Sequence, residues 1–213
     1  MNNKTMAIVA LCLAILCLTI GFTAFSNTLK ISSGANVKPD SNTFNVDFSS
    51  SESSIETNPI TPTLNPITLT AENGIINNTG NPTISGLSVE FKEPGQKATY
   101  TFYAHNIGEY TAFLKSINYL NVAGKNSPRV CTALGDTNDT LVQAACDDIT
   151  LSVKVGNEEM VTGTNGNINN HNLNVGMSEK IIVEIEYAVD GDTADGQFSV
   201  QFGDISLNYN SVD

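Results

Sequence analysis

The chain has 213 residues, about one domain's worth, and its 10 basic against 22 acidic residues leave a net charge of −12. So acidic a surface repels phosphate backbones and anionic headgroups, which argues against nucleic-acid or peripheral-membrane binding. Tryptophan is absent while Asn, Thr, Ser and Gly are abundant, the composition of short strands joined by many turns.

The clearest local signal comes first. Met6 to Phe25 is an uncharged, mostly apolar run after the polar Met1-Asn2-Asn3-Lys4-Thr5. It is long enough to just span a bilayer core. It also has the form of a long signal peptide, because Gly21-Phe22-Thr23-Ala24 ends in small residues that suit a peptidase. Residues 1–24 are therefore expected to be a signal peptide or a retained signal anchor, with cleavage around Thr23, Ala24 and Phe25. Cys12 and Cys17 each follow a Leu, so neither makes a lipidation signal. Gly21-Phe22-Thr23 imitates a prepilin cleavage site, but the apolar run lies before it rather than after it.

Beyond that point nearly every segment repeats with period two, the mark of a strand with one buried face. Phe25, Leu29, Ile31, Ala35 and Val37 share one parity, making residues 25–40 an extended strand segment ahead of a domain over 41–213. Phe44, Val46 and Phe48 give the next strand. Ser49 to Pro66, with Pro59, Pro62 and Pro66, reads as an extended connection. Ile67 and Leu69 start a short strand, and Asn73-Gly74 reads as a tight turn. After polar Asn77–Pro82 come Leu87, Val89 and Phe91, then a turn at Lys92-Glu93-Pro94-Gly95. Ala98, Tyr100, Phe102 and Ala104 alternate up to Asn106-Ile107-Gly108, and Ala112 to Leu120 is a further strand.

Cys131 and Cys146 are the two cysteines of the domain, an even count that fits an oxidising compartment. As a disulfide they close a loop of about 15 residues, worth roughly 3 kcal/mol in the chain-entropy model. The alternative, free or metal-bound thiols, has no second cysteine pair or nearby histidine. The one helix expected lies inside this loop, with Asp136 or Thr137 capping Leu141–Ala145. Alternation resumes at Ile149, Leu151, Val153 and Val155, and Thr162–Asn174 reads as a polar loop. Val183, Ile185 and Tyr187 form a strand, and Phe198–Phe202 and Ile205–Tyr209 read as a hairpin across Gly203-Asp204. Short strands at regular spacing without a βαβ pattern predict an all-β fold. The expected form is a two-sheet antiparallel sandwich, immunoglobulin-like or jelly-roll, with the N-terminal hydrophobic helix in addition.

Two stretches carry a resemblance. Gly21-Phe22-Thr23-Ala24-Phe25-Ser26-Asn27 resembles the signal junction of TasA-like and camelysin-like envelope proteins of Gram-positive bacteria. Glu93-Pro94-Gly95-Gln96-Lys97, followed by Tyr100 to Gly108, is similar to that family's proline-glycine turn, strand and Asn-x-Gly turn. A looser echo runs from Val175-Gly176-Met177-Ser178 to Val183, Ile185 and Tyr187. The resemblance implies cutting by a dedicated signal peptidase and a secreted fibre or biofilm-matrix subunit that polymerises by strand donation. The donor would be Ala24–Val37, with Leu29, Ile31, Ala35 and Val37 facing a neighbour's groove. The other reading of that strand is that it completes its own domain.

Catalytic chemistry finds no purchase. His105 and His171 stand without an HExxH pattern, so the metalloprotease label of camelysin-like proteins has no ligand set to rest on. Both histidines read as surface residues. Gly-x-Ser-x-Gly is absent, and the chain is not expected to be an enzyme. Asp190, Asp192 and Asp195, set among Gly191 and Gly196, offer carboxylates for Ca²⁺; the spacing is one residue off an EF-hand loop, and a solvated hairpin loop is the alternative. No other cofactor is expected. Asn77-Asn78-Thr79 and Asn138-Asp139-Thr140 match the N-glycosylation pattern without a context that gives it meaning. The expectation is an exported cell-envelope structural protein at the cell surface or secreted, partnered by further copies or other envelope proteins. The rival is a signal-anchored binding or adhesion module that touches the membrane through residues 1–24.

Overall fold

The computed structural model describes residues 44–156, 161–162 and 166–211. The chain is mostly β, and every strand pair is antiparallel. The expected segments 1–24 and 25–40 lie outside the described residues, and so do Thr23, Ala24, Phe25, Leu29, Ile31, Ala35 and Val37. Among the described residues no helix is long and apolar enough to cross a membrane.

In chain order the elements are β1 (Val46–Ser49), β2 (Thr63–Asn65), β3 (Thr70–Ala71), β4 (Ile75–Asn77), β5 (Thr83–Ser85), β6 (Ser88–Phe91), β7 (Lys97–Asn106), β8 (Ala112–Tyr119), β9 (Arg129–Ala133), α1 (Asp139–Asp147), β10 (Ile149–Val155), β11 (Val161–Thr162), β12 (Gly166–Leu173), β13 (Ser178–Tyr187), β14 (Phe198–Phe202) and β15 (Ile205–Asn210). One sheet runs β1-β7-β13-β10-β11, with β2 also on the β1 side of β7. A second runs β12-β8-β15-β5-β4 and a third β3-β6-β14-β9. The last two share an order through chain continuity. β3 leads to β4, β5 to β6, β8 to β9 and β14 to β15. The chain thus bends from one of these sheets into the other at each joint.

That bend overturns the expected hairpin. β14 pairs with β6 and β9, whereas β15 pairs with β5 and β8, so the two strands never meet. Gly203 is where the chain changes sheets. A Cβ there would lie 2.0 Å from the Leu120 carbonyl oxygen, so only glycine lets the two backbones pass this closely. Gly203 N–H donates to Pro128 O at 2.9 Å, and Leu120 N–H to Asp204 O at 2.9 Å, locking the crossing.

The period-two alternation fills the core as expected. Ala98, Tyr100, Phe102 and Ala104 of β7, Ile181, Val183, Ile185 and Tyr187 of β13, and Ile149, Leu151, Val153 and Val155 of β10 are all buried in one cluster with Val89, Phe91, Phe198, Val200, Ile205 and Leu207. Tyr187 stands edge-on to Phe91 and Phe198, with centroids 5.8 and 5.6 Å away, a geometry that suits the aromatic quadrupole.

Other local expectations are corrected. Asn73-Gly74 makes no hairpin turn; Gly74 pairs with Ile60 in an extended bridge, exchanging hydrogen bonds of 2.9 and 2.8 Å. Ile67 is 88% exposed in a turn, and the strand begins at Thr70. The polar stretch Thr162–Asn174 contains β12, because pairing with β8 overrides its weak strand propensity. The helix starts one residue after Asn138, whose side chain accepts from Thr140 N–H, while the Thr137 hydroxyl lies against Leu134 O instead. Val142, Ala145 and Cys146, spaced three and four apart, form its buried stripe.

Candidate functional site

The end of β7 and the turn between β12 and β13 converge on Asn106. This residue is fully buried, and each of its polar groups is used. Its side-chain amide donates to Leu173 O at 2.8 Å and Tyr110 O at 2.9 Å, and its side-chain oxygen accepts from Gly108 N–H at 3.1 Å. Its backbone donates to Met177 O at 3.0 Å and accepts from Gly176 N–H at 2.9 Å. One asparagine thus holds two turns together, and burying it is affordable only because its bonding capacity is met. Asn45 O joins them to the start of β1 by accepting from both Ile107 and Gly108 N–H.

What these loops enclose is a cleft of about 190 Å³ lined by His105, Asn106, Ile107, Gly108, Val175, Gly176 and Met177. Its rim is apolar and open: Ile107 is 52% exposed, Val175 49% and Met177 57%, with Tyr110 at 52% nearby. Four large apolar side chains are thus exposed around this end. The volume falls below the roughly 300–1,000 Å³ of small-molecule sites and suits one or two apolar side chains. His105 at the floor contacts Ser51 O through Nε2 at 2.8 Å. Its cross-strand neighbour Asp47 has a carboxyl raised above its usual range by burial, an effect that His105 opposes.

The cleft lies beside an edge strand, β12. β12 pairs with β8 alone among the described residues, and its last residue, Leu173, leads directly into the cleft's rim. Two other edges are covered. On the outer side of β1 the Asn78 carboxamide imitates a strand, accepting from Phe48 N–H at 2.8 Å and donating to Phe48 O at 2.9 Å. α1 packs against β9. Natural sheets blunt their edges in such ways.

The structure brings some of the sequence candidates together and leaves others apart. Cys131 and Cys146 form the disulfide, with Cα atoms 6.1 Å apart, which is consistent with an extracellular or other oxidising compartment. Asp195 accepts from Asn138 N–H at 2.9 Å, fixing the start of α1. Asp192 N–H donates to Asp148 at 2.6 Å, and its carbonyl accepts from the Tyr187 hydroxyl. The acidic loop that includes Asp190 thus ties the helix to β13. Among the described residues no group of three or more His, Cys, Asp or Glu is placed to hold a metal.

The two histidines are not surface residues. His105 is buried, and the side chain of His171 on β12 is 11% exposed. His171 pairs with Glu179, whose other oxygen accepts from the Tyr209 hydroxyl at 2.7 Å. Burial, reinforced by the Glu179 carboxylate, holds the Tyr209 phenol well above its usual pKa. The signal for His171 was its parity with Leu173, which puts both on the inward face once the stretch is a strand. For the cleft, no local pattern marked Asn106 as a hub, because its partners Leu173 and Met177 are 67 and 71 residues away in sequence. Comparison with protein-family models, curated proteins and solved structures finds no match.

Proposed function

We propose that this chain is an exported cell-envelope structural protein, a TasA-like fibre or biofilm-matrix subunit. Its domain is a two-layer β-sandwich, and its copies join by β-strand donation. One observation carries the reading: an eight-residue edge strand, β12, paired with β8 alone among the described residues, that ends at an apolar-rimmed cleft, in a domain whose β1 and β9 edges are blocked. In strand addition, backbone hydrogen bonds along an edge supply affinity and a pocket for alternate side chains supplies register. Residues 24–38 have the matching chemistry. Leu29, Ile31, Ala35 and Val37 alternate along the segment, Lys30 and Lys38 are its only charges, and all 22 acidic residues lie after it. A basic, apolar strand and an acidic acceptor attract each other. The contact is head-to-tail and does not close, so it builds a filament. Its work is assembly rather than catalysis, outside the cell membrane.

The signal-anchored binding module is the second reading, because the same cleft could take an apolar group from a different partner. Negative-stain microscopy of two purified forms, one beginning at Ala24 and one at Pro39, separates the two. Filaments from the longer form alone are expected. Folded monomers from both would remove the fibre reading and leave the anchored module.

A further inference from the structure

A second strand edge is closed by a device unrelated to the cleft. Among the described residues β9 pairs with β14 alone. Phe202 N–H donates to Leu87 O, so Phe198, Val200 and Phe202 turn their backbone groups toward β6, and Ser199 and Gln201 turn theirs toward β9. By the same alternation Val130 and Thr132 face β14, while Arg129, Cys131 and Ala133 point their N–H and C=O groups outward. Packed against this strand is α1, seated by Val142, Ala145 and Cys146.

The helix has nine residues, too few to persist without its tethers. Beyond the buried Val142 and Ala145 and the bonds of Asp148 to Asp192 and Ala188, the tethers are these. Cys131–Cys146 joins the middle of β9 to the last turn of α1. Asp195 holds the Asn138 N–H at the other end. Arg129 reaches Ile149 O and lies 3.6 Å from Asp147, whose side chain is 89% exposed, so that ion pair is weak.

We infer that α1 is a disulfide-held guard over β9, and that reduction of Cys131–Cys146 turns β9 into a self-association edge that pairs with β9 of a second copy. The strand is complementary to itself. Antiparallel pairing centred on Cys131 sets Arg129 opposite Ala133 of the second copy and Cys131 opposite Cys131, a twofold contact that closes as a dimer. Arg129 is the one charged residue of β9, so this register brings no like charges together in an otherwise acidic protein. The reductant is a dithiol. Its thiolate attacks one cysteine sulfur and the Cys131–Cys146 bond breaks. Its second thiol then closes its own disulfide, leaving two electrons and two protons on the cysteine thiols.

The test is amide hydrogen exchange and sedimentation of the full-length chain in mild detergent, with and without dithiothreitol, over a range of concentrations. Constraining a loop of this length is worth roughly a hundredfold in population. Exchange at Cys131 and Ala133 is therefore expected to accelerate by up to about a hundredfold on reduction in dilute solution, with β7 and β13 amides unchanged. At higher concentration the reduced chain should sediment as a dimer and regain protection at β9. Val142→Asn, which spoils the helix seat but keeps the disulfide, should stay protected at β9. Unchanged β9 exchange on reduction, exposure without association, or exposure in Val142→Asn equal to that on reduction would each overturn the inference. So would acceleration of β7 and β13, which would make the disulfide a staple of the whole domain.

Discussion

Gly203→Ala probes the bend at the point where the chain leaves β14 for β15. A Cβ added there would stand 2.0 Å from Leu120 O and 2.7 Å from the Asn121 carbonyl carbon. Both are backbone atoms, so relief requires moving a strand end rather than rotating a side chain. Overpacking of this kind costs about 1–3 kcal/mol. The two 2.9 Å hydrogen bonds of the crossing, Gly203 N–H to Pro128 O and Leu120 N–H to Asp204 O, would stretch or break, at about 1 kcal/mol each. A destabilisation of about 3–5 kcal/mol is expected, a large part of the 5–15 kcal/mol typical of a domain. Urea unfolding followed by far-UV circular dichroism reads it as a lower midpoint with an unchanged slope. Gly80→Ala is the control, since its φ of +82° strains a side chain but nothing lies within 4 Å; about 1 kcal/mol is expected there. If Gly203→Ala cost no more than Gly80→Ala, the close backbone crossing would be refuted.

Asn78→Ala removes both hydrogen bonds to Phe48 and unblocks the outer edge of β1; a loss of about 1–3 kcal/mol is expected, with faster amide exchange at Phe48, and unchanged exchange would refute the blocking role. Burial pushes the Tyr119 phenol up to about 12 and raises Tyr100 and Tyr209 as well. The folded state therefore holds these protons more tightly than the unfolded chain, whose phenols titrate near 10. Their stabilising contribution is full below about pH 10 and falls as pH climbs from there, Tyr119's being lost through about 12 and those of Tyr100 and Tyr209 at still higher pH. Phenolate absorbance in the folded and urea-unfolded chain checks this, and coincident titration curves would count against it.

Much of the domain was legible because burial on one face imposes a period of two. Tyr100 and Phe102, Val183 and Ile185, and Leu151 and Val153 announced their strands and their inward faces before any coordinates. The helix was legible for a different reason: a short apolar stripe inside a closed cysteine loop leaves few alternatives. The site was far less visible. Ile107, Val175 and Met177 look like ordinary loop residues until Asn106 draws their turns to one place.

Sequence alone thus determined which apolar residues turn inward along most strands and that the strands are antiparallel; it favoured a Cys131–Cys146 disulfide without fixing it. Tertiary structure alone decided that β14 and β15 belong to different sheets, that an Asn-rich stretch pairs as β12, and which strand edges are covered. The physical reason is that alternation is a property of one strand and its local chemistry. Pairing is a contest among distant strands, settled by close backbone approaches such as Gly203 on Leu120 and by buried hubs such as Asn106, which no local pattern records.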